Sequence, residues 1–327
     1  IIRELTNSYI PDSISLRIIR ALNFSDVHMI SQIQTQIQEG NFLGLARALT
    51  LLENDLAGSE KLLRELKPGK TSVIGITGPP GAGKSTLVNA LINEISNEGK
   101  KIAVLAVDPS SPFNMGSLLG DRVRMAEQFN KPGVYIRSIA TRGSLGGLSA
   151  KIIEMTDLLK SVGFDYILVE TVGVGQSEVE IAGLADISIV VLVPESGDEI
   201  QGMKSGLMEI ADIFVVNKSD RDGAELFANN LKKLVHQKEE NTPVINTIAD
   251  QSGGVGLLLD AIRENSHKQN KRREFLLSEK AWKLIIRHKM SDIDRSKLQK
   301  DLFEASSKQD FNLYKFVDDF LSSTRNS

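Results

Sequence analysis

The chain has 327 residues, 41% of them hydrophobic, enough to bury the core of one large domain or two. A formal net charge of −3 argues against a protein built mainly to hold nucleic acid, and the absence of cysteine excludes disulfides, thiolate zinc sites and cysteine nucleophiles. The four histidines (His28, His236, His267, His288) form no i, i+4 ligand pair, and apolar runs such as Ile187 to Val193 are of strand length, too short to span a bilayer.

No secretory leader is visible, so a soluble intracellular protein is expected. A start at Ile1 rather than Met is compatible with a removed N-terminal piece, a transit peptide included.

Residues 1–66 read as an N-terminal helical segment. Ile30, Ile33 and Ile37 give one apolar stripe, and Leu45, Leu49, Leu52 and Leu56 another, separated by a break at Gly40-Asn41. Lys67-Pro68-Gly69-Lys70 is a turn and a boundary. Beyond it short apolar strands alternate with amphipathic helices. Strands are expected near 72–77, 102–107, 134–139, 166–171, 187–193, 212–216 and 243–248. Such alternation predicts an α/β domain over 67–266, with a mostly parallel sheet and helices on both faces.

The strand at Val73 to Ile76 leads into Gly78 to Ser85, G-P-P-G-A-G-K-S, a full match to the phosphate-loop pattern G-x-x-x-x-G-K-[ST]. A helix with Leu87, Leu91 and Ile95 on one face follows. Glycines let the backbone curl so that N–H groups face phosphate oxygens, and the helix N-terminus adds its positive dipole end. Gly78, Pro79, Gly81, Ala82, Gly83, Lys84, Ser85 and Thr86 are therefore the expected phosphate cradle. Lys84 is expected to reach the β- and γ-phosphates, and the Ser85 hydroxyl to ligate Mg²⁺.

Three carboxylates are candidates for the magnesium side. Asp108 ends the second strand, in D-P-S-S-P. Asp121 lies in Gly120-Asp121-Arg122, where a helix N-cap is a competing role. Glu170 ends the fourth strand, in E-T-V-G, and Gly173 is placed for its N–H to touch a γ-phosphate. Most GTPases carry aspartate where Glu170 stands.

Asn217-Lys218-Ser219-Asp220 follows the strand ending at Val216 and reads N-K-x-D. The Asp220 carboxylate can accept hydrogen bonds from guanine N1–H and its exocyclic amine, which adenine does not offer in that geometry. Asn217 braces the loop, and the Lys218 stem can lie over the base. Ala249, after the seventh strand, stands where a backbone N–H could meet the guanine O6. GTP or GDP with Mg²⁺ is the expected ligand set.

Residues 267–327 shift composition. His267 to Arg273 reads H-K-Q-N-K-R-R, and charged helical patterns follow, with Phe275, Trp282, Ile285 and Ile286 on one apolar face and Leu313, Phe316, Val317 and Phe320 on another. Dimer contact and helical cap on the same subunit are both open for this arm.

The long stretch from Ser85 to Glu170 holds two further strand-plus-helix units, unlike Ras-like switches. It points to the SIMIBI-type P-loop branch, which includes signal-recognition particles and metal-site maturation factors. The segments V-D-P-S-S-P (107–112), G-S-L-L-G-D-R-V-R-M (116–125), R-S-I-A-T-R-G-S-L-G-G-L (137–148), V-E-T-V-G-V-G-Q-S-E-V-E-I-A (169–182) and G-D-E-I-Q-G-M-K-S-G-L-M-E-I-A-D (197–212) closely resemble the methylmalonyl-CoA mutase-associated GTPases, the MeaB/MMAA-type G-protein chaperones once grouped with ArgK-type transport kinases. The resemblance spans roughly residues 40–265.

It implies a homodimeric GTPase that escorts an adenosylcobalamin-dependent mutase, gates cofactor loading, and protects or reactivates the mutase; a cobalamin adenosyltransferase is a further possible partner. It also implies that Asp108, Asp121 and Glu170 form the acidic Mg²⁺ set, and that Gly197 to Lys204 is a switch loop that signals to the mutase, with Asp198, Gln201 and Lys204 the residues to test there. The implied compartment is bacterial cytoplasm, or mitochondrial matrix in a eukaryote, with neither nucleic acid nor membrane as partner. Phe113-Asn114-Met115, Glu195-Ser196 and Ile248 depart from the family pattern.

Val174 follows Gly173 where Ras-type enzymes use a water-orienting glutamine, so hydrolysis by the isolated chain is expected to be slow, with Gln176 an alternative water-positioner. Other readings remain: an ATPase or kinase acting on transport proteins, which would have no use for N-K-x-D; a nickel-insertion GTPase, for which cysteine ligands are missing; and a non-catalytic scaffold, at odds with intact Lys84, Ser85 and Glu170.

Overall fold

The computed structural model describes residues 26–67, 69–108, 125–140, 151–171, 177–196, 207–236, 242–266, 271–290, 293–307 and 311–325. The chain divides into two compact units, Ile1–Asn270 and Lys271–Ser327.

The first unit is organised by a seven-stranded sheet: β1 (Val73–Thr77), β2 (Ile102–Asp108), β3 (Val134–Ala140), β4 (Tyr166–Glu170), β5 (Ile187–Leu192), β6 (Ile213–Val216) and β7 (Val244–Asn246). All pairings are parallel, in the order β3-β2-β4-β1-β5-β6-β7. Each strand lies within two residues of the position its apolar run predicts. The central strands read as continuous hydrophobic runs because helices cover both faces.

Alternate residues of each strand feed opposite cores. Ile74, Ile76, Ile102, Val104, Ala106, Leu168, Ile189 and Val191 face one layer, with α4 (Lys84–Asn97) and α9 (Val255–Asn265) packed on it. Leu87, Leu91 and Ile95 are buried there at helical spacing. Val73, Ala103, Leu105, Val107, Ile167 and Val169 face the other layer. That layer is closed by α5 (Ile152–Val162), α6 (Ser177–Leu184) and the N-terminal helices α1 (Asp26–Gln38), α2 (Phe42–Glu53) and α3 (Ser59–Arg64). A third cluster joins Val190, Leu192, Phe214 and Val216 to α7 (Leu207–Ile210) and α8 (Ala224–His236).

The predicted stripes of α1 and α2 are the faces that enter this core, with one exception. Leu56 is 44% exposed. The helix stops at Glu53, and Asp55 takes a left-handed φ of +51°, which turns the chain before Leu56 can continue the stripe. Arg137 of β3 pins α2: it donates to the Ala46 carbonyl and, at 2.6 Å, to the Glu53 carboxylate.

The second unit holds α10 (Lys271–Lys289), α11 (Arg295–Ser306) and α12 (Leu313–Arg325). Phe275, Trp282, Ile285 and Ile286 are exposed, as are Leu313 and Val317, whereas Phe316 and Phe320 stack at 6.0 Å between ring centroids. The apolar faces read from the sequence are thus not sealed within this unit.

Candidate functional site

The site gathers at the C-terminal ends of the central strands. β1 pairs with β4 on one side and β5 on the other, so the loop leaving β1 faces residues from both halves of the sheet.

Two glycines make the loop's path possible. Gly78 leaves β1 at φ +140°, and a Cβ there would lie 2.1 Å from the Val191 carbonyl oxygen of β5. Gly83 closes the loop at φ +85° as the residue before α4, and a Cβ there would lie 2.4 Å from Asn217 Nδ2. No side chain fits either place.

Lys84 is the first residue of α4 and is buried. Its Nζ donates to the carbonyls of Gly78 at 2.8 Å and Pro79 at 3.0 Å, so the loop wraps around the ammonium. That ammonium is positioned for phosphate oxygens entering the same loop.

Ser85 Oγ donates to Glu170 Oε1 at 2.6 Å, which brings together residues from the first turn of α4 and the end of β4. Glu170 is only 4% exposed. A hydroxyl and a carboxylate in contact at a strand end are hard oxygen donors, the type Mg²⁺ takes, so this pair fits that ion. Beside it, Thr171 Oγ1 donates to Thr77 Oγ1 at 3.0 Å, and the Thr171 N–H to the Ile76 carbonyl at 3.0 Å. This buried hydroxyl pair ties the end of β1, where the loop begins, to the residue after Glu170. Sequence reasoning missed it; two threonines closing two apolar strands were the available signal.

Asn217 is the hinge between the phosphate loop and the N-K-x-D loop. It is buried and makes three hydrogen bonds: Nδ2 donates to the Ala82 carbonyl at 2.9 Å, while Oδ1 accepts from Thr247 Oγ1 at 3.0 Å and from the Ala249 N–H at 3.2 Å. Three loops from distant parts of the chain are thereby joined at one side chain. Thr247, fully buried, is a second residue the sequence reading did not single out. Lys218 sits at φ +55° and donates through Nζ to the Gly81 carbonyl at 2.7 Å, laying its stem along the loop. The Ser219 N–H donates to the Thr247 carbonyl at 3.0 Å and fixes the turn.

Gly83, Thr86, Asn217, Lys218, Asp220 and Ala249, together with Arg221 and Asp250, line one cleft. Arg221 forms an ion pair with Glu195, in the turn after β5. The bond from the Arg221 guanidinium holds the Glu195 carboxyl below the usual carboxylate range.

Asp108 ends β2, two strands from β1, and its backbone lies at the same sheet edge as Glu170; its side chain lies outside the described residues. Asp121, Gly173, Val174, Gln176, Asp198, Gln201 and Lys204 lie outside them as well. Among the described residues, no group of three or more His, Asp or Glu side chains is arranged to hold a metal.

The family model for the methylmalonyl-CoA mutase-associated GTPase MeaB matches residues 45–305. A Pyrococcus abyssi protein named as a GTPase is 44% identical over 266 residues, covering 79% of this chain and 82% of its own. The mitochondrial methylmalonic aciduria type A homolog of Mus musculus is 36% identical over 272 residues, covering 76% of this chain and 65% of its own. Among solved structures, that of an LAO/AO transport system kinase superposes with a TM-score of 0.64 at 26% identity, covering 92% of this chain and 98% of that one.

Proposed function

From the premise that this chain belongs to the family of methylmalonyl-CoA mutase-associated GTPases, we propose that it is a G-protein chaperone which gates adenosylcobalamin loading into a methylmalonyl-CoA mutase or related B12-dependent mutase and protects or reactivates that enzyme. The chain is a P-loop GTPase by family and fold. The mutase role rests on the family's description and on the sequence blocks at 107–112, 116–125, 137–148, 169–182 and 197–212.

The observation that carries the nucleotide reading is the threefold bonding of Asn217, which sets the phosphate loop and the Asp220 turn at a fixed separation. In this reading Asp220 accepts the guanine N1–H and exocyclic amine. Lys218 covers one face of the base, and the Ala249 N–H is shared between Asn217 and the guanine O6. A buried recognition pair of this kind discriminates strongly, because the wrong base leaves it unpaired. The amides of residues 81–85 and the Lys84 ammonium hold the phosphates.

Ser85 and Glu170, with Asp108 and Asp121 completing the acidic set, would hold Mg²⁺, which when bound would supply charge neutralisation for the phosphates. Lys84 and the loop amides stabilise the charge that develops as water attacks the γ-phosphate in line. Gly173 senses the γ-phosphate. Val174 can neither donate nor accept a hydrogen bond to that water, so a partner or dimer mate supplies the missing polarisation, a contribution of about 10³–10⁵ in rate.

The arm at 267–327 is proposed as a dimer contact, on the ground that its apolar faces are exposed within its own unit. Bacterial cytoplasm or mitochondrial matrix is the proposed compartment, and among the described residues no helix is long and apolar enough to cross a membrane. The second reading, a kinase or ATPase for transport proteins, draws on the superposition with the LAO/AO transport system kinase.

Calorimetry with GTP and ATP separates the two: selective binding of GTP is expected, and equal affinity for both removes the chaperone reading. A pull-down from native extract with a non-hydrolysable GTP analogue then tests the partner. Recovery of a B12-dependent mutase supports the assignment, and its absence in an extract that contains one counts against it.

A further inference from the structure

We infer that Glu195 is a positioning residue for base recognition: it holds the Arg221 guanidinium away from the neighbouring Asp220 carboxylate and so keeps that carboxylate available to guanine. The inference rests on the reading of Asp220 as the guanine acceptor.

Asp220 and Arg221 are consecutive residues of one turn, and both line the same cleft. An arginine beside a carboxylate is that carboxylate's natural partner; the fork of N–H donors is made for it. A guanine edge needs the same oxygens, since it too presents two adjacent N–H donors. Arg221 is therefore a built-in competitor for the site.

The structure resolves the competition through Glu195. The turn at Pro194–Ser196 brings its carboxylate to the Arg221 guanidinium, and the two form an ion pair. Among the described residues none donates a hydrogen bond to the Asp220 side chain. Lys218, the other cation of the loop, is occupied at the Gly81 carbonyl. Glu195 is thus the counter-ion of Arg221, leaving Asp220 for the ligand. The arrangement also joins the guanine loop to the chain just after β5.

The pair is about half exposed on both sides, so its effect is modest and salt-sensitive. Glu195→Gln keeps the shape and removes the charge. In the full chain at low salt it is expected to weaken GDP binding about two- to fivefold, the range of a solvent-exposed ion pair. At 1 M NaCl, where the screening length is about 3 Å, the deficit is expected to vanish. In an Arg221→Ala background the same Glu195→Gln substitution is expected to change GDP affinity less than about 1.5-fold, because the competitor is gone.

Three titrations therefore carry the test. Unchanged affinity in Glu195→Gln overturns the proposal. So does a deficit that persists in the Arg221→Ala background, or one that persists at high salt, since either assigns Glu195 a structural role. Asp220→Asn, titrated with GDP and xanthosine diphosphate, checks the underlying reading separately. A variant that keeps its preference for GDP removes Asp220 as the base acceptor, whatever Glu195 does.

Discussion

Replacing Asn217 with alanine removes a side chain bonded at once to the phosphate loop, to Thr247 and to Ala249. Its three hydrogen bonds, at 2.9, 3.0 and 3.2 Å, lie among buried groups. Each is worth about 1 kcal/mol net, so the nucleotide-free protein is expected to lose about 3 kcal/mol of stability. For a unit of this size that corresponds to a fall in melting temperature of roughly 6–12 °C. The cost falls on the apo protein because the bonds exist before any ligand binds. GDP affinity should fall as well, since the Asp220 turn and the phosphate loop lose their common strut. The assay is urea and thermal unfolding of the nucleotide-free variant, followed by a GDP titration. A cycle with Thr247→Val, which removes one of the three bonds, should show the two substitutions to be non-additive. A loss below about 1 kcal/mol in the apo protein, or strict additivity in the cycle, refutes the view that Asn217 joins these loops structurally.

Gly78→Ala is expected to prevent the native loop from forming, because the added Cβ would lie 2.1 Å from a backbone carbonyl that cannot swing aside; a variant with wild-type unfolding temperature and GDP affinity contradicts this. Glu170→Gln keeps the hydrogen bond to Ser85 possible but removes the charge, so steady-state hydrolysis should fall at least about tenfold, with a raised magnesium requirement, while GDP binding without added metal is retained. Asp220→Asn is expected to exchange guanine for xanthine preference, because xanthine offers a carbonyl oxygen where guanine offers an amine; competition between GDP and xanthosine diphosphate reads it directly. The isolated wild-type chain is expected to turn over GTP slowly, and a single-turnover rate above about 1 s⁻¹ contradicts the role assigned to Val174.

Strand and helix positions were legible because each is a local pattern. Apolar runs such as Ile187 to Leu192 and Ile102 to Val107 are bounded by turn residues, and Leu87, Leu91 and Ile95 repeat at the helical period. The phosphate loop and N-K-x-D were legible because contiguous residues supply their chemistry. The exposure of Leu56 was not, since it depends on a left-handed residue at Asp55 that no periodicity announces.

What only the tertiary structure decided is which of these local pieces meet. A continuous apolar run says that a strand is covered on both faces, but the interior strands of the sheet share that same pattern. Pairing order is set by non-local packing of strand edges and covering helices. The order β3-β2-β4-β1-β5-β6-β7 is what brings Glu170 against Ser85, Asn217 against Ala82, Thr171 against Thr77 and Glu195 against Arg221. Sequence therefore named the chemistry of the site. The fold, by placing β1 between β4 and β5, supplied the contacts that orient it, because those hydrogen bonds join residues far apart along the chain.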